Sequence, residues 1–268
     1  GNNNSAFGYK ALYSNTTNNN SAFGYKALFA NTIGTNNSSF GKDSLISNTT
    51  GSGNSAIGLG ALYNNTSGSR NIAIGTNVLS SNVVGNNNSA FGYYALKNNT
   101  ANNNAAFGYR TLHLNTTGAF NSAFGYRALV SNTFGKYNNA FGGNALANNT
   151  TGINNSAFGY LSLSSNTIGI NNTAVGYGSS YSNTTGNQNT AVGRSALNYN
   201  TIGSNNSAFG KYALLNNTTG SNNNAFGLYA LNGNTTGVSN CAFGREALFS
   251  STTAIRGSAF GNYSLRSS

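Results

Sequence analysis

Residues 203–219 read G-S-N-N-S-A-F-G-K-Y-A-L-L-N-N-T-T, and close variants of this string recur along the whole chain. The tripeptide Ala-Phe-Gly, or a near variant, ends at sixteen glycines from Gly8 to Gly261, at intervals of 17 residues thirteen times and 16 residues twice. We number the repeat so that Gly203 is position 1 and Gly210 is position 8. A fixed period of this kind is the signature of a stacked repeat architecture. We therefore expect residues 1–268 to form a single repeat array of about 16 coils, without a separate globular domain.

The residues of the repeat favour strands and turns over helices. Asn, Gly, Ser and Thr are poor helix formers, and the apolar residues follow no 3.6-residue period. The Ser-Ala-Phe-Gly-Tyr segment alternates small and large side chains, as a short strand does. The Asn-Asn and Asn-Thr-Thr-Gly segments are typical of turns. The sequence predicts an all-β protein, a parallel β-solenoid (β-roll) with one 17-residue coil per repeat, each coil holding two short strands and two corners.

Two positions of the repeat are apolar almost without exception. Position 7, the Phe column, holds only Phe, Ile or Val, and position 12, the Leu column, is Leu in every full coil except at Ser180. We expect both columns to face the core, because a column that is never polar is typical of a buried face. The representative core residues are Phe7, Leu12, Phe91, Leu96, Phe124, Leu129, Phe158 and Leu163.

Asn occupies two further columns. The position-4 column begins at Asn4 and fails only at Gly257, and the position-15 column begins at Asn15 and fails only at Ser251. Identical amides stacked at about 4.8 Å can hydrogen-bond along the stack, as in cross-β ladders. A competing interpretation is N-glycosylation, because Asn15-Thr16-Thr17 and its copies match the acceptor motif.

The composition excludes most enzyme classes. Charged residues make up 6% of the chain, with two acids (Asp43 and Glu246) and one histidine (His113), whereas a soluble domain has roughly 25% charged residues. This inventory assembles no acid–base pair or nucleophile triad, so we expect no enzyme activity, no metal and no cofactor. No stretch reaches the ~18 apolar residues of a membrane span. Because the chain lacks Met, we expect it to be a segment of a longer fibre.

Positions 9 and 10, which follow the repeated Gly, contain most of the basic and tyrosine side chains of the repeat. They hold eight of the thirteen basic residues and eleven of the sixteen tyrosines. One column of a solenoid lies along one edge, so these positions predict a basic aromatic edge that could adhere to glycans or anionic surfaces. The alternative is that the tyrosines only pack and the cations only confer solubility. The candidate residues are Tyr9, Lys10, Tyr25, Lys26, Tyr93, Tyr94, Tyr109, Arg110, Tyr126, Arg127, Lys211 and Tyr212.

The repeat resembles those of known surface fibres. The unit Asn88-Ser89-Ala90-Phe91-Gly92 is similar to the repeat of trimeric autotransporter adhesin heads, and the longer Ala-Phe-Gly-Tyr-x-Ala-Leu-x-x-Asn-Thr-Thr-Gly string resembles repeats of phage-type tail-fibre proteins. The resemblance covers the whole chain. It implies a parallel β-roll that assembles as a homotrimer and is displayed outside a cell or on a virion.

These observations lead to a functional hypothesis with named alternatives. We expect a non-enzymatic fibre shaft or surface adhesin segment that self-associates, as a homotrimer or end to end. An ice-binding solenoid is an alternative because of the Thr column at position 16, and the net charge of +11 leaves binding to an anionic polymer, including nucleic acid, open. A disordered Asn-rich chain is disfavoured by the strict spacing of the Phe and Leu columns.

Overall fold

Each repeat forms one short strand, and successive strands stack in parallel. The structure, a computed structural model, describes residues 1–267, and the chain divides into two compact units, residues 1–136 and a second unit that begins at Tyr137. In the first unit the strands are β1 (Ser5–Phe7), β2 (Ser21–Phe23), β3 (Ser38–Phe40), β4 (Ser55–Ile57), β5 (Ile72–Ile74), β6 (Ser89–Phe91), β7 (Ala105–Phe107) and β8 (Ser122–Phe124). In the second unit they are β9 (Asn139–Phe141), β10 (Ser156–Phe158), β11 (Thr173–Val175), β12 (Thr190–Val192), β13 (Ser207–Phe209), β14 (Asn224–Phe226), β15 (Cys241–Phe243) and β16 (Ser258–Phe260).

Strand pairing keeps every repeat in register with the next. Within each unit the strands pair in sequence order and in parallel, so that Phe7 lies opposite Phe23 and Ala157 lies opposite Ala174. Equal positions of successive repeats therefore stack directly upon one another. The predicted all-β parallel β-solenoid with one 17-residue coil per repeat is confirmed.

Each coil contains one strand, and the prediction of two is wrong. Residues at positions 10 and 12 adopt left-handed backbone angles, for example φ 53° at Arg110 and φ 51° at Leu112. This conformation interrupts the extended geometry that a strand needs. The segment still joins the ladder between coils, because the Leu112 N–H donates to the Ala128 carbonyl and the Leu114 N–H donates to the Val130 carbonyl, at 3.0 and 3.1 Å.

The interior of each coil is small, and two of its five columns of buried side chains are polar. The fully buried side chains are Ala at positions 6 and 11, Leu at position 12, and Asn at positions 4 and 15. Leu96, Leu129 and Leu163 are completely buried, while Leu12 in the first coil is partly exposed. The alanines leave room for little else, so the bulky contribution to the core comes from one Leu per coil.

The Phe column faces outward, contrary to the expectation that it lines the core. Phe7 and Phe158 are 76% and 40% exposed, and Phe91 and Phe124 are half-buried. The reason is the alternation of side chains along a strand. In the three-residue strand the middle Ala points into the coil, so the Ser before it and the Phe after it both point out. The coil interior has no space for a ring beside the Leu.

The two Asn columns form the predicted amide ladders inside the coils. In the position-15 column, the Asn48 Nδ2 donates to the Asn31 Oδ1 at 2.8 Å and to the Gly51 carbonyl at 2.9 Å. In the position-4 column, the Asn54 backbone N–H donates to the Asn37 Oδ1 at 2.9 Å. Each amide thus joins its own coil to a neighbouring one and satisfies buried backbone groups that would otherwise cost about 1–3 kcal/mol each.

Candidate interaction surfaces

The basic aromatic edge at positions 9 and 10 is solvent-exposed. Tyr9, Tyr25, Tyr109 and Tyr126 are 40–60% exposed, because position 9 follows a glycine that turns the chain out of the strand. At Gly108 the backbone has φ +137°, and a Cβ would lie 2.6 Å from the Gly125 carbonyl oxygen. No other residue fits there without strain, so the path of the chain into the edge is set by this glycine.

The tyrosines of the edge stack upon one another along the direction in which the coils stack. The ring centres of Tyr9 and Tyr25 are 5.3 Å apart, and those of Tyr109 and Tyr126 are 5.5 Å apart, with nearly parallel planes. In the second unit Tyr212 stacks on Tyr229 at 5.1 Å. The ring faces are therefore partly covered by neighbouring rings, and the column presents phenol edges to solvent.

The cations lie beside these rings. The Lys10 Nζ is 5.4 Å from the ring centre of Tyr9, and the Lys26 Nζ is 5.3 Å from that of Tyr25. In the second unit the Lys211 Nζ lies 4.9 Å from the ring centre of its neighbour Tyr212. Such cation–π contacts contribute roughly 0.5–1 kcal/mol at exposed sites, so they hold the charged groups close to the edge.

The edge consists of separate clusters instead of one continuous band. The coils of β4 and β5 interrupt it in the first unit, because their positions 9 and 10 are Leu59 and Gly60, then Thr76 and Asn77. Before this gap lie the coils of β1 to β3. After it lie the coils of β6 to β8, whose cluster we call the Tyr93–Arg127 cluster. Its members at positions 9 and 10 are Tyr93, Tyr94, Tyr109, Arg110, Tyr126 and Arg127.

The structure brings two further residues into this cluster that the sequence analysis did not include. Lys97 and His113 are at position 13, three residues beyond Tyr94 and Arg110. The left-handed turn folds position 13 back beside position 10, so that the Lys97 Nζ lies 4.7 Å from the Tyr94 ring centre and the His113 ring lies 5.8 Å from it. The signal in the sequence is that position 13 has aromatic or basic residues in other coils too, as at Tyr13 and Phe29.

Titratable groups in the cluster influence one another. Tyr93 and Tyr94 have ring centres 4.0 Å apart, and the hydrogen bond between their phenol groups raises the pKa of Tyr93 and lowers the pKa of Tyr94. Partial burial lowers the pKa of His113 below its ordinary value of 6.5. His113 is therefore neutral at neutral pH, and the positive charge of the cluster comes from Lys97, Arg110 and Arg127.

The Phe column is a second exposed surface, and it is apolar. The rings of Phe91 and Phe107 are 4.7 Å apart, those of Phe107 and Phe124 are 4.6 Å apart, and those of Phe226 and Phe243 are 4.6 Å apart, all nearly parallel. No charged residue occurs at position 5 or position 7 in any repeat. Sequence analysis assigned this column to the core. The invariant small residue before each Phe, together with strand alternation, was the signal that it points outward.

Beyond the first coil, where Asn15 is partly exposed, the Asn-Thr-Thr motifs are not accessible for glycosylation in the folded chain. Asn48, which begins one such motif, is completely buried, and its amide group donates two hydrogen bonds. Other motif asparagines, such as Asn115 and Asn217, are buried in the same way. The motif therefore serves the internal ladder.

The Thr column at position 16 does not present free hydroxyl donors. The Thr49 Oγ1 donates to the Thr66 carbonyl at 3.1 Å, and the Thr218 Oγ1 donates to the Thr235 carbonyl at 3.0 Å. The next position is irregular, with Phe134, Ile168 and Thr219 among its members. An ice-binding face needs a regular array of available hydroxyls, so this geometry does not favour that alternative.

Within residues 1–267, no group of three or more His, Cys, Asp or Glu side chains is placed to hold a metal ion. No helix long and apolar enough to cross a membrane is present in the same range. The ion pairs of the described residues involve Glu246, which contacts Arg245 and Arg266. In comparisons with protein-family models, with curated proteins and with solved structures, no match to the chain was found.

Proposed function

We propose that the chain is a non-enzymatic structural element of a fibre, and that copies of it associate laterally through the Phe column. The observation that carries this proposal is the exposed, stacked and uncharged Phe column of each unit. Monomeric soluble proteins rarely expose continuous apolar patches of this kind, and such patches mark interaction sites. The scarcity of carboxylates and imidazoles, two acids and one histidine in the chain, supports a structural role over a catalytic one.

A second copy of the same chain is the partner that fits the column best. In the runs of coils that have Phe at position 7, the rings recur once per coil, with centres 4.6–5.3 Å apart at Phe91–Phe107, Phe107–Phe124 and Phe243–Phe260. Only a partner with the same spacing can place a side chain against every ring. Burying the exposed half of a Phe contributes about 1 kcal/mol, so the gain grows with the number of coils that match.

The number and location of the copies belong to the same proposal. The resemblance of the repeat to trimeric autotransporter adhesin heads and to tail-fibre repeats supports a homotrimer displayed outside a cell or on a virion. Position 5, which is Ser in most repeats, and the Gly at position 8 lie before and after each Phe along the chain, and their small size would allow neighbouring backbones to approach closely.

The test is the oligomeric state of matched charge variants. Phe107→Glu combined with Phe226→Glu places one carboxylate in the column of each unit. We expect light scattering after size exclusion to give three copies for the unmodified chain and one for this variant. The control, Phe134→Glu with Ile202→Glu, changes two exposed apolar residues at position 17, which are 56% and 53% exposed, and should leave the oligomer intact. An unmodified chain that is monomeric at all concentrations, or a control that dissociates equally, would contradict the proposal.

A further inference from the structure

The Tyr93–Arg127 cluster differs from the rest of the edge in its net charge. Lys97, Arg110 and Arg127 lie on three consecutive coils, and neither acid of the chain, Asp43 or Glu246, lies in these coils. In the coils of β1 to β3, by contrast, Asp43 directly follows Lys42. Arg245 and Arg266 in the second unit are already paired with Glu246. The cluster is thus a run of three consecutive coils in which each of three cations lacks an acidic neighbour.

The cations of the cluster are held at the spacing of the coils. Arg110 and Arg127 occupy position 10 on adjacent coils, and the Arg127 N–H donates to the Tyr109 carbonyl at 3.0 Å. Neighbouring strands lie about 4.8 Å apart, so the two guanidinium groups start from backbones one strand spacing apart. The Arg110 guanidinium carbon lies 5.4 Å from the Tyr109 ring centre, and the Lys97 Nζ lies 4.7 Å from the Tyr94 ring centre. These ring contacts limit where the charges can move.

The surrounding tyrosines favour hydrogen bonding over stacking. Tyr109 stacks between Tyr93 at 5.7 Å and Tyr126 at 5.5 Å, so both of its faces meet other rings. Its hydroxyl edge is what a ligand can reach. Guanidinium groups bind carboxylate and sulfate oxygens through paired hydrogen bonds, and phenol groups donate to the same oxygens. The arrangement is a short row of anion-binding groups.

We propose that this row binds a linear acidic polysaccharide, with successive carboxylates or sulfates of the sugar chain contacting Arg110, Arg127 and Lys97. The polysaccharide would run along the stacking direction of the coils. Single-stranded nucleic acid is a poorer fit, because its binding relies on bases stacking on free aromatic faces, and here both faces of Tyr109 meet neighbouring rings. An anionic membrane is also a poorer fit, since peripheral binding combines a broad basic surface with inserted apolar groups, and this row is narrow. The proposal does not depend on lateral association through the Phe column.

The experiment compares two double variants of the full chain that remove the same charge. Arg110→Gln with Arg127→Gln changes the cluster. Arg70→Gln with Lys136→Gln changes two exposed cations of the same unit at positions 3 and 2 of the repeat, away from the edge. The probes are a galacturonate hexamer and its fully methyl-esterified, uncharged counterpart. Binding is measured by titration calorimetry at low salt, and far-UV circular dichroism with light scattering verifies the fold and the oligomeric state of each sample.

We expect the unmodified chain to bind the acidic hexamer and not the ester. The cluster variant should lose about tenfold or more in affinity, as removal of charge-assisted hydrogen bonds does, while the control variant should change less than about twofold. Equal losses in both variants would show general charge attraction and overturn the proposal. Equal binding of the ester, or tighter binding of an oligothymidylate or of phosphatidylserine vesicles than of the hexamer, would overturn it as well. Because the oligomeric state is recorded for the same samples, failure here is separable from failure of the lateral association.

Discussion

Ser180 occupies position 12, where the neighbouring coils have Leu163 and Leu197. It is 1% exposed, and its hydroxyl has no hydrogen-bond partner among the described residues. Its backbone angle, φ 48°, is close to the φ 49° of Leu163 and the φ 53° of Leu197. The backbone of this coil is therefore already arranged for a leucine, and the serine leaves both a smaller side chain in the core and an unpaired polar group.

We expect Ser180→Leu to stabilise the protein. The change fills the gap in the Leu column and removes a buried hydroxyl without a partner, which together should raise the free energy of unfolding by about 1–3 kcal/mol. Chemical denaturation monitored by far-UV circular dichroism measures the difference. Ser180→Ala separates the two contributions, because it removes the hydroxyl and adds no volume. A lower stability for Ser180→Leu would contradict this prediction, because it would mean that the core of the coil of β11 has no space for a leucine side chain.

At the residue scale the sequence predicted some columns well and one poorly. The amide ladders followed from the periodic Asn, since a buried amide needs a partner and its own copy on the next coil supplies one. The absence of polar residues from the Phe column did not predict that Phe91 and Phe158 point outward. Both a buried core and an exposed interface exclude polar residues, so this pattern fits either. The small residue before each Phe, Ala in every repeat except at Ser39, decides between them, and that argument requires knowing that the strand has only three residues.

At the scale of the element, one coil is a three-residue strand followed by a left-handed turn. A left-handed residue other than Gly costs roughly 1–2 kcal/mol, and Arg110 and Leu112 both adopt this conformation in the coil of β7. The turn persists because it directs Leu112 inward and keeps its N–H bonded to the next coil. Sequence propensities gave no warning of it, since Leu is not a residue that favours positive φ. The second predicted strand is absent because this left-handed turn occupies its place in the coil.

The coil of β7 offers a direct comparison between the inner and outer apolar columns. Leu112→Ala should destabilise the dilute, monomeric chain by ~2–5 kcal/mol, because Leu112 is completely buried and the small interior cannot collapse onto the space. Phe107→Ala should cost only about 1 kcal/mol there, since the ring is half-buried against its stacked neighbours. Denaturant unfolding at low protein concentration gives both values. A larger loss for Phe107→Ala would place the Phe column in the core after all.

At the scale of the whole molecule, the two surfaces differ in the force that would act on them. The Phe column carries no charge, while the chain as a whole has a net charge of +11. Copies that meet through the column therefore repel one another, and salt screens that repulsion. The Tyr93–Arg127 cluster would instead attract its ligand by charge, and salt weakens such binding. The amino-acid composition predicted a basic surface. The fold places the basic residues and the Phe column at different positions of the coil, so the two surfaces should respond differently to salt.

We expect the two activities to respond to salt in opposite directions. When sodium chloride is raised from 50 to 200 mM, lateral association measured by sedimentation equilibrium should strengthen. Binding of the galacturonate hexamer should weaken, by about 20-fold if three cations contact it and each releases counterions as on a single-stranded polyanion. A variant with both new carboxylates in the second unit, Phe209→Glu with Phe226→Glu, serves as a control, because it adds no acid to the coils of β6 to β8. It should keep the salt dependence of hexamer binding while association is weakened at both concentrations. Association that weakens with salt would indicate ionic contacts between copies, and hexamer binding that is indifferent to salt would mean that Arg110, Arg127 and Lys97 do not hold the ligand.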